Sequence, residues 1–382
     1  MATTKVIPGV LDLNESTSES GLKMPSGTEL NRSTAVAGQI RNNTNETSEG
    51  SASCEEYYNG TEWKKINNAP IPPPLAFKTV TWTGNGTSQS ITGVGFQPDL
   101  VWVKERSNTS SNELIDSSRG ATKFISSNNQ NGEATNGQAL NQFDSDGFTV
   151  GNDGAWNQSG ETYVAWCWKA NGGTTSTNND GSTTSTVQAY PEAGFSIVEY
   201  TGTGANASVG HGLGVAPKFI MIKKLNSSSD WVGGALDWTK YLEPNGTPPF
   251  RTANVWQNTA PTSSVFTLTT GGDSNANGDE YIAYLFSDID NVSKIGSYTG
   301  NGGTQSITVG FQPDYLVFKS TNNTEDWYVM DSVRGANNVL YWNGTFAEGT
   351  SSGVSFTSTG FDLTSSFNTS SRDYLYIAFK TN

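Results

Sequence analysis

The sequence contains a single histidine, His211, and two cysteines, Cys54 and Cys167, in 382 residues. With one histidine, a Ser-His-Asp arrangement has no choice of base, and nothing around Gly210-His211-Gly212 resembles a nucleophile elbow. Its flanking glycines make it a turn histidine. The cysteines have no metal or redox spacing and read as two unpaired thiols. Basic residues are in deficit. Against 36 Asp and Glu there are 22 Lys and Arg, and the net charge of -14 opposes contact with nucleic-acid phosphates. No apolar run approaches the roughly 18 residues of a membrane span. The first residues, MATTKVIPGVLDLNESTS, have no apolar segment of the kind a signal peptide carries. Long stretches with a 3.6-residue period are also missing.

What the chain does have is Gly, Ser, Thr and Asn in abundance, together with 11 Trp, 14 Tyr and 17 Phe. Polar turn-formers interleaved with β-branched and aromatic residues predict an all-β protein of short strands. The stretch that organises it is Thr83-Gly84-Asn85-Gly86, then Ser90-Ile91-Thr92, then Phe96-Gln97-Pro98-Asp99 leading into Leu100-Val101-Trp102-Val103. The pattern returns at Thr299-Gly300-Asn301-Gly302 and Phe311-Gln312-Pro313-Asp314, and more loosely at Thr201-Gly202-Thr203-Gly204 and Val215-Ala216-Pro217-Lys218. Each copy closes on a tyrosine-led strand, taken as Tyr163, Tyr281 and Tyr376. These lie 163 − 98 = 65, 281 − 217 = 64 and 376 − 313 = 63 residues after the proline. A repeat of this period indicates three copies of one module.

The resulting organisation is an extended N-terminal segment, 1–68, a proline-rich linker, 69–76, and three tandem β-sandwich, jelly-roll-like modules. The modules span 77–170, 194–290 and 291–382, with a polar linker at 171–193. In the N-terminal segment, Val10-Leu11-Asp12-Leu13 and Gln39-Ile40-Arg41 are candidate strands, and Asn59-Gly60 marks a hairpin from Glu55 to Lys64. Leu100–Val103 and Val164–Trp168 lack polar alternation, which predicts central strands buried on both faces.

Several residue groups could carry chemistry or binding. Asp273, Asn275 and Asn277 with Gly278 match the first half of a calcium loop, but Tyr284 stands where the closing glutamate belongs. A polar hairpin loop is the competing reading, and no cofactor is expected. The carboxylate pairs Asp144/Asp146 and Asp279/Glu280 read as solvated turn residues and not as a hydrolytic pair. Asp116/Arg119 and Asp331/Arg334 recur at one spacing, and this suggests turns stapled by an ion pair and closed by Gly120 or Gly335. Trp102, Trp166 and Trp168 read as core. Trp156, Trp231, Trp256, Trp327 and Trp342 stand among polar residues, and Trp231, Trp327 and Trp342 are candidate sugar-stacking faces. The glycine turns at Gly84, Gly202 and Gly300 have no Lys-Ser/Thr and no helix after them, so they are hairpin turns and not phosphate cradles.

The run GLKMPSGTELNRSTAVAGQIRNNTN followed by EYYNGTEWKKI resembles the N-terminal module of tailed-phage fibre and virion structural proteins. Residues 77–380, with Trp166-Cys167-Trp168-Lys169 and the Gly194–Gly204 run, resemble uncharacterised repeat domains of marine tailed-phage virion proteins. This resemblance implies a non-enzymatic virion structural protein of the fibre or appendage class, located in the virion. It further implies a homotrimer attached to other virion proteins through residues 1–68, with contact to host-surface glycans and neither nucleic-acid binding nor membrane insertion. A capsid-surface decoration protein and a polysaccharide depolymerase are the alternatives.

Overall fold

The computed structural model describes residues 75–381 and, before them, positions 26–27, 40–43, 54–58, 61 and 63–65. The chain divides into two compact units, Met1–Pro72 and Pro73–Asn382. In the first, β1 (Ser26–Gly27), β2 (Ile40–Asn43), β3 (Cys54–Tyr58) and β4 (Trp63–Lys65) form one sheet in that order. β1 and β2 are parallel, and the other pairs are antiparallel. β3 and β4 pair antiparallel with Tyr58 opposite Trp63, as expected of the hairpin, while Asn59-Gly60 lies outside the described residues. The strand expected at Gln39–Arg41 is β2, which begins one residue later. Val10–Leu13 lies outside the described residues.

The second unit is nearly all β. Its first module contains β5 (Phe77–Thr83), β6 (Gln89–Thr92), β7 (Leu100–Glu105), β8 (Asn112–Asp116), β9 (Lys123–Ser126), β10 (Ala134–Thr135), β11 (Leu140–Asp144), β12 (Gly147–Val150), the single turn α1 (Gly154–Asn157) and β13 (Thr162–Trp168). A six-stranded sheet, β10-β9-β8-β7-β13-β5, faces a three-stranded sheet, β11-β12-β6. The second module contains β14 (Ser176–Asn178), β15 (Ser185–Tyr190), β16 (Phe195–Thr201), β17 (Ala207–Gly210), β18 (Phe219–Lys224), β19 (Val232–Ala235), β20 (Lys240–Tyr241), β21 (Arg251–Thr252), β22 (Val265–Leu268), α2 (Gly272–Asn275) and β23 (Glu280–Phe286). Its large sheet runs β14-β15-β16-β23-β18-β19. The third module repeats the first with β24 (Ser293–Thr299), β25 (Gln305–Thr308), β26 (Tyr315–Ser320), β27 (Tyr328–Asp331), β28 (Asn338–Tyr341), β29 (Gly349–Thr350), β30 (Val354–Thr357), β31 (Gly360–Leu363) and β32 (Asp373–Phe379).

Two differences from the sequence reading concern register and boundaries. The 171–193 stretch is not a free linker. It supplies β14 and β15, and β15 pairs with β16 from Ser185↔Tyr200 to Tyr190↔Phe195. In Ser185–Tyr190 only Val187, Ala189 and Tyr190 are apolar, so composition concealed the strand. The third copy also aligns on Tyr374, not Tyr376. Tyr163 faces Trp82, Tyr281 faces Tyr200, and Tyr374 faces Tyr298. A shift of two residues keeps every side chain on its face, so alternation cannot reveal it.

β7 and β13 are buried on both faces, as their apolar runs predicted. Val101, Val103, Tyr163, Ala165 and Cys167 pack between the module's own two sheets. Leu100, Trp102, Val164, Trp166 and Trp168 turn the other way. They join a single cluster shared by all three modules, with Phe195, Phe219, Trp231, Tyr284 and Phe286 of the second and Tyr315, Trp327, Trp342 and Phe379 of the third. The tandem modules are therefore not beads on a string. Trp168, Phe286 and Phe379 occupy equivalent strand ends, and their ring centroids form a triangle with sides of 5.9, 5.6 and 5.6 Å. Equivalent residues can meet in this way only around a threefold axis, and one chain closes that ring on itself.

The contacts between modules repeat around the ring. Ser110 N–H donates to Thr345 O, Ser229 N–H to Gln130 O, and Glu325 N–H to Thr247 O. The return bonds run from Glu348 to Arg106, from Glu133 to Leu225 and from Phe250 to Thr321. Asn112 Nδ2 bonds Gly344 O, Trp231 Nε1 bonds Ser126 O, and Trp327 Nε1 bonds Glu243 O. A further set follows the same geometry but varies in chemistry. Tyr284 OH donates to Asp116 Oδ2 at 2.7 Å, and Trp166 Nε1 donates to Asp331 Oδ2 at 3.0 Å. At the third junction the equivalent positions are Ala235 and Ile377, and both lie in the shared core. The acceptor and the donor are lost together, so no buried polar group is orphaned.

Ala235→Asp should therefore place an uncompensated carboxylate at that junction and cost about 3–5 kcal/mol in chemical denaturation. Adding Ile377→Tyr should recover at least about 1 kcal/mol, and a strictly additive double variant would refute the pairing.

Candidate functional site

The glycine-rich turn that opens each module is held by a buried asparagine from the segment before its last strand. Asn157 Oδ1 accepts from Asn85 N–H at 2.9 Å, and its carbonyl accepts from Gly86 N–H at 2.9 Å. Its Nδ2 donates to Gly151 O and to Thr87 O. Asn275 holds Thr203 and Gly204 in the same way, and Asn368 holds Asn301 and Gly302. One aromatic pair backs each turn: Trp82 on Tyr163, Tyr200 on Tyr281, and Tyr298 on Tyr374, stacked at 5.3, 5.2 and 4.8 Å. A Cβ on Gly84 would come within 2.2 Å of Gln158 O, so only glycine allows the turn to dock. The crests face outward: Asn85, Thr87 and Ser88; Thr203, Ala205 and Asn206; Asn301, Gly303 and Thr304. Rotation about the pseudo-threefold axis puts equivalent points at one level, so three rigid polar crests stand at one end of the unit, with spare amide and hydroxyl groups.

The other candidates fall elsewhere. Trp231, Trp327 and Trp342 are buried to 2 % exposure or less, as are Trp156 and Trp256. Trp342 stacks between Trp102 and Trp327 at 4.7 and 5.2 Å. None offers a face to a sugar. Their polar neighbours misled the sequence reading, because those neighbours serve the interfaces between modules. Asn275 faces inward as the turn clamp, with Nδ2 bonded to Ala205 O and Thr269 O, and Asp273 Oδ1 accepts from Ser229 Oγ. That geometry is a hairpin anchor and not a calcium loop. Among the described residues no group of three acidic, histidine or cysteine side chains is placed to hold a metal. Asp146 accepts from Gly93 and Gly95 N–H, and Asp279 pairs with Lys224. Arg119 bonds Asp116 through both its backbone N–H and Nε, and Arg334 bonds Asp331 likewise, which are the stapled turns the spacing predicted. His211 is buried. Leu213 N–H donates to its Nδ1, which leaves the proton on Nε2 facing Thr262 O. A cleft of about 230 Å³ beside Asp288, Ile289, Lys294 and Phe311 is shallow, and Asp288 there is already bonded to Lys294 and Ile295.

The strongly perturbed cations are also structural. Lys104, Lys223 and Lys319 occupy equivalent buried positions. Each Nζ donates to a carbonyl of the neighbouring module: Thr345, Gln130 and Thr247. Burial pushes all three down to about 8. Burial likewise raises the Cys167 thiol and lowers His211. Folded lysines release their protons near pH 8, while unfolded ones hold them to about 10.5. Between about pH 8 and 9 the lysines therefore bind more protons in the unfolded chain and make stability rise with pH. At higher pH Cys167 and the buried tyrosines, raised by burial, act in the opposite sense.

The melting temperature should therefore climb between about pH 8 and 9, and Lys319→Met should remove about a third of the climb. An unchanged slope in that variant would refute the assignment. Asn275→Ala should cost about 2–3 kcal/mol through the orphaned turn amides. Millimolar calcium should leave the melting temperature unmoved.

Comparison with known proteins supports the same boundaries. No curated protein matches the chain. Residues 73–382 match, as one piece, a family described as a domain of unknown function, DUF7483. The match begins where the second compact unit begins and takes all three modules together. The chain belongs to the DUF7483 family.

Proposed function

We propose that this protein is a non-enzymatic structural protein of a virion appendage in the tailed-phage fibre class. Residues 1–68 attach it to the particle, and the three-module unit is presented toward the host surface. One observation carries the reading: the unit closes its own threefold ring. The buried lysines, carboxylates and indoles are consumed by contacts between modules, and what faces solvent at one end is a triplet of rigid polar turns. Such a frame suits binding by shape and repetition. Weak contacts at three like positions sum through effective concentration, with no single deep pocket required. Amide and hydroxyl groups at the crests suit the hydroxyls of host-surface glycans. The N-terminal segment resembles fibre attachment modules, is poor in apolar residues, and suits assembly with copies of itself as a homotrimer.

Cryo-electron microscopy of particles, with antibody labelling of residues 73–382, should place this chain on a tail, neck or head fibre. Labelling confined to the capsid lattice would favour a decoration protein instead. Sustained release of reducing sugar from host polysaccharide by the purified protein would overturn the non-enzymatic reading.

A further inference from the structure

Phe346, at 58 %, is more exposed than any other large apolar side chain of the described residues. It lies in the loop after β28 and ends a row of rings. Phe346 meets Tyr341 edge-on at 5.6 Å and 75°, Tyr341 meets Tyr328 at 5.6 Å, and Tyr328 meets the buried Phe367 at 5.1 Å. Phe367 precedes Asn368, the clamp of the third glycine turn, so the row starts at the base of that turn. Tyr328 and Tyr341 are half-buried. Gly344 lets the last ring lie down. A Cβ there would come within 2.9 Å of the Phe346 ring and 3.2 Å of Tyr341 Cβ. The loop backbone is held from the neighbouring module. Asn112 Nδ2 donates to Tyr341 O and Gly344 O at 3.0 and 2.8 Å, and both Lys104 Nζ and Ser110 N–H donate to Thr345 O. A platform fixed before its ligand arrives loses little freedom on binding.

The row is particular to the third module. Strand register puts Glu113 and Val232 at the position of Tyr328. It puts Ser126 and Glu243 at the position of Tyr341. Counting on through the loop gives Asn131 and Pro248 for Phe346. The threefold frame therefore does not require these rings. Their rim is polar. Neither phenol hydroxyl bonds a described residue, and neither is sealed from solvent. Asp326 Oδ1 accepts from Asn343 Nδ2 at 2.8 Å, and its second oxygen accepts from no described residue. Burial first, and the charge of Asp326 second, push Tyr328 up to about 12 and raise Tyr341 as well, so both phenols keep a proton to donate.

From this arrangement we infer a glycan-binding site on the third module, in which Phe346 stacks on the C–H face of a pyranose while Tyr328, Tyr341 and Asp326 exchange hydrogen bonds with its hydroxyls. A purely apolar partner would cover those polar groups and leave them unpaired. A pyranose is apolar on its face and ringed by hydroxyls, and it meets both requirements. Asp326 and the net charge of -14 favour a neutral sugar over an acidic one. The site rests on the host-contact reading above for its setting, but it is distinct from the polar crests.

The test is saturation-transfer NMR of the full chain with the methyl glycosides of glucose, galactose, mannose and N-acetylglucosamine. At least one should bind with a Kd in the millimolar range. Phe346→Ala should weaken that binding at least tenfold and leave the melting temperature unchanged, and Phe346→Trp should retain binding. Tyr328→Phe combined with Tyr341→Phe keeps the rings, removes the hydroxyls, and should weaken binding about tenfold. No transfer to any of the four glycosides at tens of millimolar would overturn the inference. Equal binding by the double phenylalanine variant would overturn it too, and would make the row an apolar protein contact. Binding kept in Phe346→Ala but lost in Thr87→Val would return glycan contact to the crests. Self-association that Phe346→Ala abolishes would reassign the row to a second copy. Labelling of particles decides the appendage reading separately, so failure here leaves that reading standing.

Discussion

The contact on which the rest of this structure depends is the meeting of Trp168, Phe286 and Phe379 on the axis of the second unit. Once three equivalent aromatic rings share one point, each six-stranded sheet is committed to burial on both faces. One face packs on the module's own smaller sheet, and the other packs on the neighbours. A module of this size could bury a core by itself, but the sequence of β7, β13 and their equivalents is apolar on both sides. A solitary module would leave Trp102, Trp166 and Trp168 in water.

Closing the ring imposes a second requirement. Strand ends and turns pushed into the junctions carry backbone and side-chain polar groups, and each needs a partner when water is excluded. The molecule meets this with repeated donors: the lysine of the third strand position, the indole or amide before the fourth, and paired backbone bonds. Where the chemistry drifts, both sides drift together. Asp116 meets Tyr284, Asp331 meets Trp166, and Ala235 lies across from Ile377. Buried ion pairs such as Asp116–Arg119 contribute little net stability by themselves. Their value here is positional, since they aim a carboxylate at one neighbour and at no other.

This arrangement also explains where function can reside. The interior is occupied by structural tasks, and the turns held by Asn157, Asn275 and Asn368 are left as rigid polar surface. The copies also differ at their sheet edges: β15 covers the outer edge of β16 in the second module, and Asp288 caps β24 in the third. A repeat that keeps its axis can vary at its edges without disturbing the shared core.

Much of this was written along the chain. Turn-formers between short apolar runs determined an all-β fold, and the recurring Thr-Gly-x-Gly turns determined three modules and the turns that open them. The Asp-x-x-Arg-Gly spacing determined its stapled bends, and the absence of alternation in β7 and β13 determined burial on both faces. Each of these follows from local spacing or from side-chain period. Only the tertiary structure decided what lies on the second face. It turned Trp231, Trp327 and Trp342 inward, made a strand of the polar 185–190 stretch, and set the third repeat on Tyr374. The inward tryptophans depend on residues a hundred or more positions away meeting around an axis, which no local pattern records, whereas the 185–190 strand pairs with the nearby β16 and was hidden by its polar composition.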